Sequence, residues 1–367
     1  MLQKINGNLN YKNRVLRGLI LVPTRELVEQ VSKNLSELGR FLKVKHTKIM
    51  GGVSKTKQET VLSTGIDIVV ATPGRLLDLH EQETINLESV NFIVLDEADT
   101  MLEMGFIKEI ETIFSLCSPY RQFIMCSATI SQNIRKLAKE FLTDPVTVQV
   151  HDRRDTVDII KHQAYKVDVK KKKELAATLI KESKAKQVLM FINKKDSADL
   201  ATKYFEEQGI KTATIHGGIE YKDRVQAIKD FRNKKVQLLI ATDIAARGID
   251  IKQLPLVINY TLPESTDDFT HRVGRTGRAG NKGKVVTLLT VEDYNHFTKI
   301  ERDLKLNIRR DIHDQFPLKD RQPRQKIQKK KKLSEKKGKT TTPKKPVKTG
   351  AKSKKTTKRD ANRSFRR

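Results

Sequence analysis

The sequence predicts an α/β protein: two tandem domains, each a parallel β-sheet flanked by helices, followed by a disordered basic tail. Three observations carry this. Short apolar runs of strand length recur in two series with amphipathic stretches between them, and alternating strands and helices imply parallel sheets covered on both faces. A charged, aperiodic segment, residues 151–158 (HDRRDTVD), separates the series and reads as a linker between domains at 1–150 and 159–310. Residues 319–367 hold almost no large apolar side chain, too few to fold alone.

In the first series, strands are expected at 19–22, 66–71, 92–95 and 122–127. After Thr24, Leu27, Val31, Leu35 and Leu38 recur at helical spacing and Gly39 closes the run, so Thr24 is the expected N-cap. The run Phe92-Ile93-Val94-Leu95 leads straight into Asp96-Glu97-Ala98-Asp99. A buried parallel strand delivers such acids to the crevice at its carboxyl end, where these sheets bind ligands. Two carboxylates there suit a hydrated Mg²⁺ and an attacking water, the needs of nucleotide hydrolysis. Taken alone, the quartet is explained about as well by an acid capping the helix that begins Thr100-Met101-Leu102. Ser127-Ala128-Thr129 ends the next strand, placing hydroxyls where they can hydrogen-bond those acids.

The second series gives strands at 188–192, 212–216, 237–242, 256–260 and 285–289. The stretch Ala241-Thr242-Asp243-Ile244-Ala245-Ala246-Arg247-Gly248-Ile249-Asp250 leaves a strand into a polar, Gly-containing turn. In His271-Arg272-Val273-Gly274-Arg275-Thr276-Gly277-Arg278, the three arginines stand three apart, as on one helical face. Planar guanidiniums in that array suit phosphate oxygens and charge developing in phosphoryl transfer. A plain solvent-facing basic helix is disfavoured by its two glycines.

The net charge is +29, and residues 319–367 contribute 22 Lys/Arg against three acids, so the body stays basic as well. A basic body with a basic tail points to a polyanion, most simply nucleic acid. The tail reads as an arm that tethers nucleic acid by counterion release, or as a solubilising tail, with little base stacking because only Phe316 and Phe365 lie near it. Cys117 and Cys126 are the only cysteines, which excludes a disulfide framework or cysteine metal site and fits two buried thiols in a reducing interior. No apolar stretch approaches the ~18 residues of a membrane span, and Met1-Leu2-Gln3-Lys4 opens no signal peptide, so a cytoplasmic protein is expected.

The strings PTREL (Pro23 to Leu27), TPGR (Thr72 to Arg75), DEAD (Asp96 to Asp99), SAT, ATDIAARGID and HRVGRTGR resemble the ordered signature of DEAD-box RNA helicases across roughly residues 1–306. ARGIDIKQLP and the Lys-rich tail look most similar to the bacterial RhlE-like subgroup. The resemblance implies two RecA-like domains and an ATP- and Mg²⁺-dependent enzyme that separates short RNA duplexes locally. By the same resemblance, Asp96 would hold Mg²⁺ through water and Glu97 would activate the attacking water. Asp99, Ser127, Thr129 and His271 would couple hydrolysis to domain closure. Arg275 and Arg278 would be arginine fingers, and Gly248 and Asp250 would lie at the nucleotide, Asp250 on its ribose. Pro23, Thr24, Arg25, Gly51, Gly52, Thr72, Pro73, Gly74 and Arg75 would line an RNA backbone track that Thr242 continues in the second domain. The family also implies ribonucleoprotein or ribosome-assembly partners.

Departures are few: Tyr221 stands where the family usually has Gln in a Gln-x-x-Arg element ending at Arg224, and Phe269 and Thr270 precede His271 in place of commoner residues. A larger one is that no G-x-x-x-x-G-K-[ST] phosphate loop occurs, nor the Gln-containing adenine-reading motif that the family carries before PTREL. The chain therefore resembles a helicase lacking its start, with ATP affinity expected to collapse and the first domain expected to have unpaired strand edges and low stability. A non-catalytic RNA-binding or annealing protein is the second reading. Helicases that travel on DNA are disfavoured by Asp99 and PTREL. A nicotinamide-dinucleotide enzyme fails because Gly274, Gly277 and Gly280 give G-x-x-G-x-x-G rather than G-x-G-x-x-G.

Overall fold

A computed structural model describes residues 1–7, 14–148, 160–249, 251, 253–277 and 283–319. The linker expected at 151–158 and nearly all of the basic tail lie outside the described residues. Two all-parallel sheets form. The first contains β1 (Gly18–Leu21), β2 (His46–Ile49), β3 (Ile68–Ala71), β4 (Phe92–Leu95) and β5 (Gln122–Met125), ordered β2-β3-β1-β4-β5. The second contains β6 (Ile160–Lys166), β7 (Val188–Phe191), β8 (Thr212–Ile215), β9 (Leu238–Ala241), β10 (Leu256–Asn259), β11 (Gly283–Leu289) and β12 (Arg310–Ile312), ordered β12-β6-β11-β10-β7-β9-β8.

Alternation decides which face each side chain buries. In the first sheet Leu19, Leu21, Val69, Ile93 and Leu95 join one apolar cluster, and Ile20, Val22, Ile68 and Val70 join the other. The second sheet divides likewise: Val188, Met190, Leu238 and Ile258 on one face, Leu189, Phe191, Leu239 and Val257 on the other. Such two-sided burial is why these strands read as continuous apolar runs. Apolar runs do not locate β2 (HTKI), β6 (IKHQAYK) or β12 (RDI), whose polar residues sit half-buried or, at Lys161, exposed near sheet edges.

Thr24 is the N-cap of the helix Arg25–Leu38, its hydroxyl accepting the Leu27 N–H at 3.3 Å. The buried stripe runs through Leu27, Val28, Ser32 and Leu35. Leu38, expected in that stripe, closes the helix and is 74 % exposed.

Among the described residues β5 pairs only with β4, and its residues alternate between exposed and half-buried. Its free edge explains a correction: Cys117 is buried as expected, but Cys126, at the end of this strand, is exposed. The sheet registers align the carboxyl ends that matter for function. Leu21 stands beside Ala71 and Leu95, and Leu95 beside Met125, so the turns after β1, β3, β4 and β5 emerge together. Phe191, Ala241 and Asn259 are aligned in the same way in the second sheet.

Candidate active site and nucleic-acid interface

The acids leave β4 through a tight turn. Asp96 donates its backbone N–H to the Leu21 carbonyl at 3.0 Å, and the Glu97 N–H returns to Asp96 Oδ1 at 3.0 Å. Glu97 has φ 51° and ψ 51°, a left-handed conformation that costs a non-glycine residue about 1–3 kcal/mol and persists where surroundings enforce it. Thr100 Oγ1 donates to Glu97 Oε2 at 3.3 Å, which orients the carboxylate.

Burial pushes the Glu97 carboxyl above its ordinary value; the Arg275 charge opposes this, while Asp96 and Asp99 reinforce it. Burial also raises Asp96, with the Asp99 charge adding to it. Crowded hard oxygen donors of this kind suit a hydrated divalent cation more than a protein cage. Among the described residues no cluster of three or more His, Cys, Asp or Glu is arranged to hold a metal by itself.

Asp99 behaves oppositely. Burial would raise it, but the His271 contact and hydrogen bonds from Thr100 and Thr129 outweigh that and hold it at about 2. Oδ2 accepts Thr129 N at 2.9 Å and Thr129 Oγ1 at 3.1 Å, and His271 Nε2 of the second domain lies 3.6 Å away. Thr129 thus contacts the acids as expected. Ser127 does not: its hydroxyl donates to the Thr129 carbonyl at 2.6 Å and braces the turn.

Arg272 and Arg275 separate: the helix Thr266–Val273 ends before Gly274, so these two share no helical face. Arg272 is buried, bonding Asp243 Oδ1 and Oδ2, the Thr261 carbonyl and Asn193 Oδ1 at 2.6–2.8 Å, which removes it from phosphate binding. Arg275 lies beyond the helix end, where Nη1 donates to the Ile249 carbonyl at 2.7 Å and its charge reaches Glu97. Arg278 and Asp250 lie outside the described residues.

Three contacts that sequence reasoning did not single out join the domains. Arg247, buried, pairs with Glu103 of the first domain and Asp268 of the second. Arg224 Nε stands 2.8 Å from Glu26 Oε1, an ion pair without hydrogen-bond alignment. Gly248 has φ +69°, and a Cβ there would overlap Thr24 Oγ1 and lie 2.9 Å from Leu27 Cγ. Its place is therefore a packing contact with the first domain. The signal available for Arg247 was its place in an apolar stretch, Ile244-Ala245-Ala246-Arg247-Gly248-Ile249.

The expected RNA track gathers at the carboxyl ends of β1, β2 and β3. Pro23 and Thr24 follow β1 and are buried. Gly51 and Gly52 follow β2, with the Arg25 guanidinium against them. Thr72 and Pro73 start the helix Pro73–Glu81, Gly74 is exposed, and Arg75 donates to the Val53 carbonyl at 3.3 Å. Thr242 is a buried N-cap residue in the second domain, and its backbone N–H donates to the Ile215 carbonyl at 3.3 Å.

Comparison with known proteins agrees with this arrangement. The DEAD/DEAH box helicase signature matches residues 1–137 and the helicase conserved C-terminal domain matches residues 170–280. The chain is 36% identical over 301 residues to the ATP-dependent RNA helicase DbpA of Bacillus subtilis, covering 82% of this chain and 63% of that protein. It is 36% identical over 307 residues to the ATP-dependent RNA helicase DBP2 of Saccharomyces cerevisiae, covering 82% and 55%. It thus spans less than two thirds of these relatives. S. cerevisiae Dbp5 bound to RNA and ADP BeF3 superposes with a TM-score of 0.76 at 27% identity, covering 85% of this chain and 82% of that one. Matching signatures over both domains, the identities and the shared two-domain RecA-like fold lead to one conclusion: the chain belongs to the DEAD-box RNA helicase family.

Proposed function

We propose that this chain is an RNA-dependent ATPase that separates short RNA duplexes, with its catalytic pocket shared between two domains, 1–150 and 159–310. The observation that carries this reading is the meeting of Glu97 and Asp99 from one domain with Arg275 and His271 from the other. Glu97, partly desolvated and oriented by Thr100, is placed to take the proton of an attacking water. Arg275 is the cation for charge developing on a γ-phosphate. Asp96 would hold Mg²⁺ through water, and the bound ion would neutralise the β- and γ-phosphate oxygens. Asp99, Thr129 and His271 tie the pocket's geometry to domain closure.

RNA would lie along the loops after β1, β2 and β3, contacted through backbone amides where side chains such as Pro23 and Thr24 are buried, and recognised by shape rather than sequence. Arg278 and Asp250 keep their proposed roles as second finger and ribose contact, and the basic tail its role as a tether. The RhlE-like subgroup and a cytoplasmic setting belong to the same reading, as do ribonucleoprotein or ribosome-assembly partners.

A second reading is an RNA-binding or annealing protein without turnover. RNA-stimulated phosphate release at millimolar ATP separates the two. The enzyme reading expects turnover that needs RNA and is lost in Glu97→Gln. RNA binding with no turnover at any ATP concentration would establish the second.

A further inference from the structure

The helix Tyr221–Arg232 opens with an aromatic residue that packs away from its own domain. Tyr221 joins the apolar cluster formed by Ile20, Val22, Leu27 and Met50 of the first domain. Its ring centroid lies 5.6 Å from the Arg25 guanidinium carbon and 6.0 Å from that of Arg224. Arg224 in turn pairs with Glu26, the neighbour of Arg25, at 2.8 Å. On another side, the Arg25 guanidinium lies so close over Gly52 that a Cβ there would overlap Nη1, while a Cβ on Gly51 would stand 3.6 Å from Nη2. Burial, with the Glu29 and Glu26 charges adding to it, pushes the Tyr221 hydroxyl up to about 12, so the ring stays neutral at physiological pH.

Arg25 is therefore held between a glycine turn of its own domain and an aromatic ring of the other. We propose that Tyr221 is a positioning residue that fixes Arg25 for the RNA backbone only when the domains are together. An aromatic ring suits this role: its face attracts a guanidinium whose edge still presents donors to phosphate. A shorter amide at the same position offers neither the area nor the quadrupole. RNA affinity of the first domain thereby becomes coupled to docking of the second. This rests on the RNA-binding reading given above for Arg25.

The test measures RNA affinity of the full chain, at fixed salt and with an ATP analogue, for Tyr221→Phe, Tyr221→Gln and Tyr221→Ala, each also in an Arg25→Ala background. Melting curves confirm that every variant folds. Tyr221→Ala and Tyr221→Gln are expected to weaken RNA binding about 3- to 10-fold, with Tyr221→Phe within about 2-fold of wild type, as cation–π strength implies. In the Arg25→Ala background the Tyr221 substitutions should add nothing. Equal losses for Phe and Ala, or an undiminished loss without Arg25, would overturn the proposal while leaving RNA binding intact. Absence of RNA binding in the wild type would instead overturn the reading on which it rests.

Discussion

His271 Nε2 stands 3.6 Å from Asp99 Oδ2, an imidazole from one domain facing a buried carboxylate of the other. The same carboxylate oxygen accepts two hydrogen bonds from Thr129 of its own domain. Asp99→Asn keeps the shape and removes the charge. It is expected to destabilise the folded, docked chain at pH 7 by about 1–3 kcal/mol, the usual worth of hydrogen bonds to a charged group. Because Asp99 is held at about 2, below its ordinary 3.8, its contribution is complete above about pH 3.8 and is lost as pH falls toward 2. Denaturant unfolding from pH 5 to pH 2 should show that loss in the wild type and a smaller one in Asp99→Asn.

Glu97 carries the opposite sign. Its carboxyl is raised above 4.5, chiefly by burial, so ionising it costs stability at every pH above the raised value. Glu97→Gln should therefore raise the melting temperature at pH 7 while abolishing RNA-stimulated phosphate release. Wild-type stability should gain relative to the variant as pH falls through that window. A variant that melts lower than wild type at pH 7 would contradict the assignment.

Arg272 and Arg275 look alike in sequence and differ in structure. Arg272→Ala leaves Asp243 without its buried partner and should cost about 3–5 kcal/mol, the usual result of breaking a buried pair. Arg275→Ala, which removes the Nη1 bond to the Ile249 carbonyl, should cost only about 1 kcal/mol and remove turnover. Parallel denaturant melts and phosphate-release assays check both.

Both sheets were legible in the sequence because two-sided burial makes their strands continuous apolar runs, as at Val188–Phe191. The Asp99–Thr129 contact was legible too, since both residues sit at the tips of adjacent parallel strands. Polar strands such as His46–Ile49 were not, because half-buried edge positions tolerate lysine and threonine. Periodicity also placed Arg272, Arg275 and Arg278 on one face, whereas the helix stops at Val273 and the half-buried Asp243 claims Arg272. Contacts across the cleft, such as Arg247 with Glu103, join residues far apart in the chain and leave no local pattern.

The two cysteines should react differently. Cys117 is buried, and burial raises its thiol to about 11, whereas Cys126 is exposed at the end of β5. A thiol reagent under native conditions should modify Cys126 and spare Cys117, with both reacting after denaturation. Mass spectrometry of the labelled chain reads this directly.

Domain separation measured between spin labels tests the shared pocket most directly. Labels at Lys136→Cys and Lys299→Cys, with Cys117 and Cys126 replaced by Ser, report the distance in the presence of RNA and an ATP analogue. One short-distance population is expected, and Gly248→Ala, whose methyl would overlap Thr24 Oγ1, should shift it to longer distances without unfolding either domain. An identical, broad distribution in both proteins would mean that the acids and the guanidinium do not share a pocket.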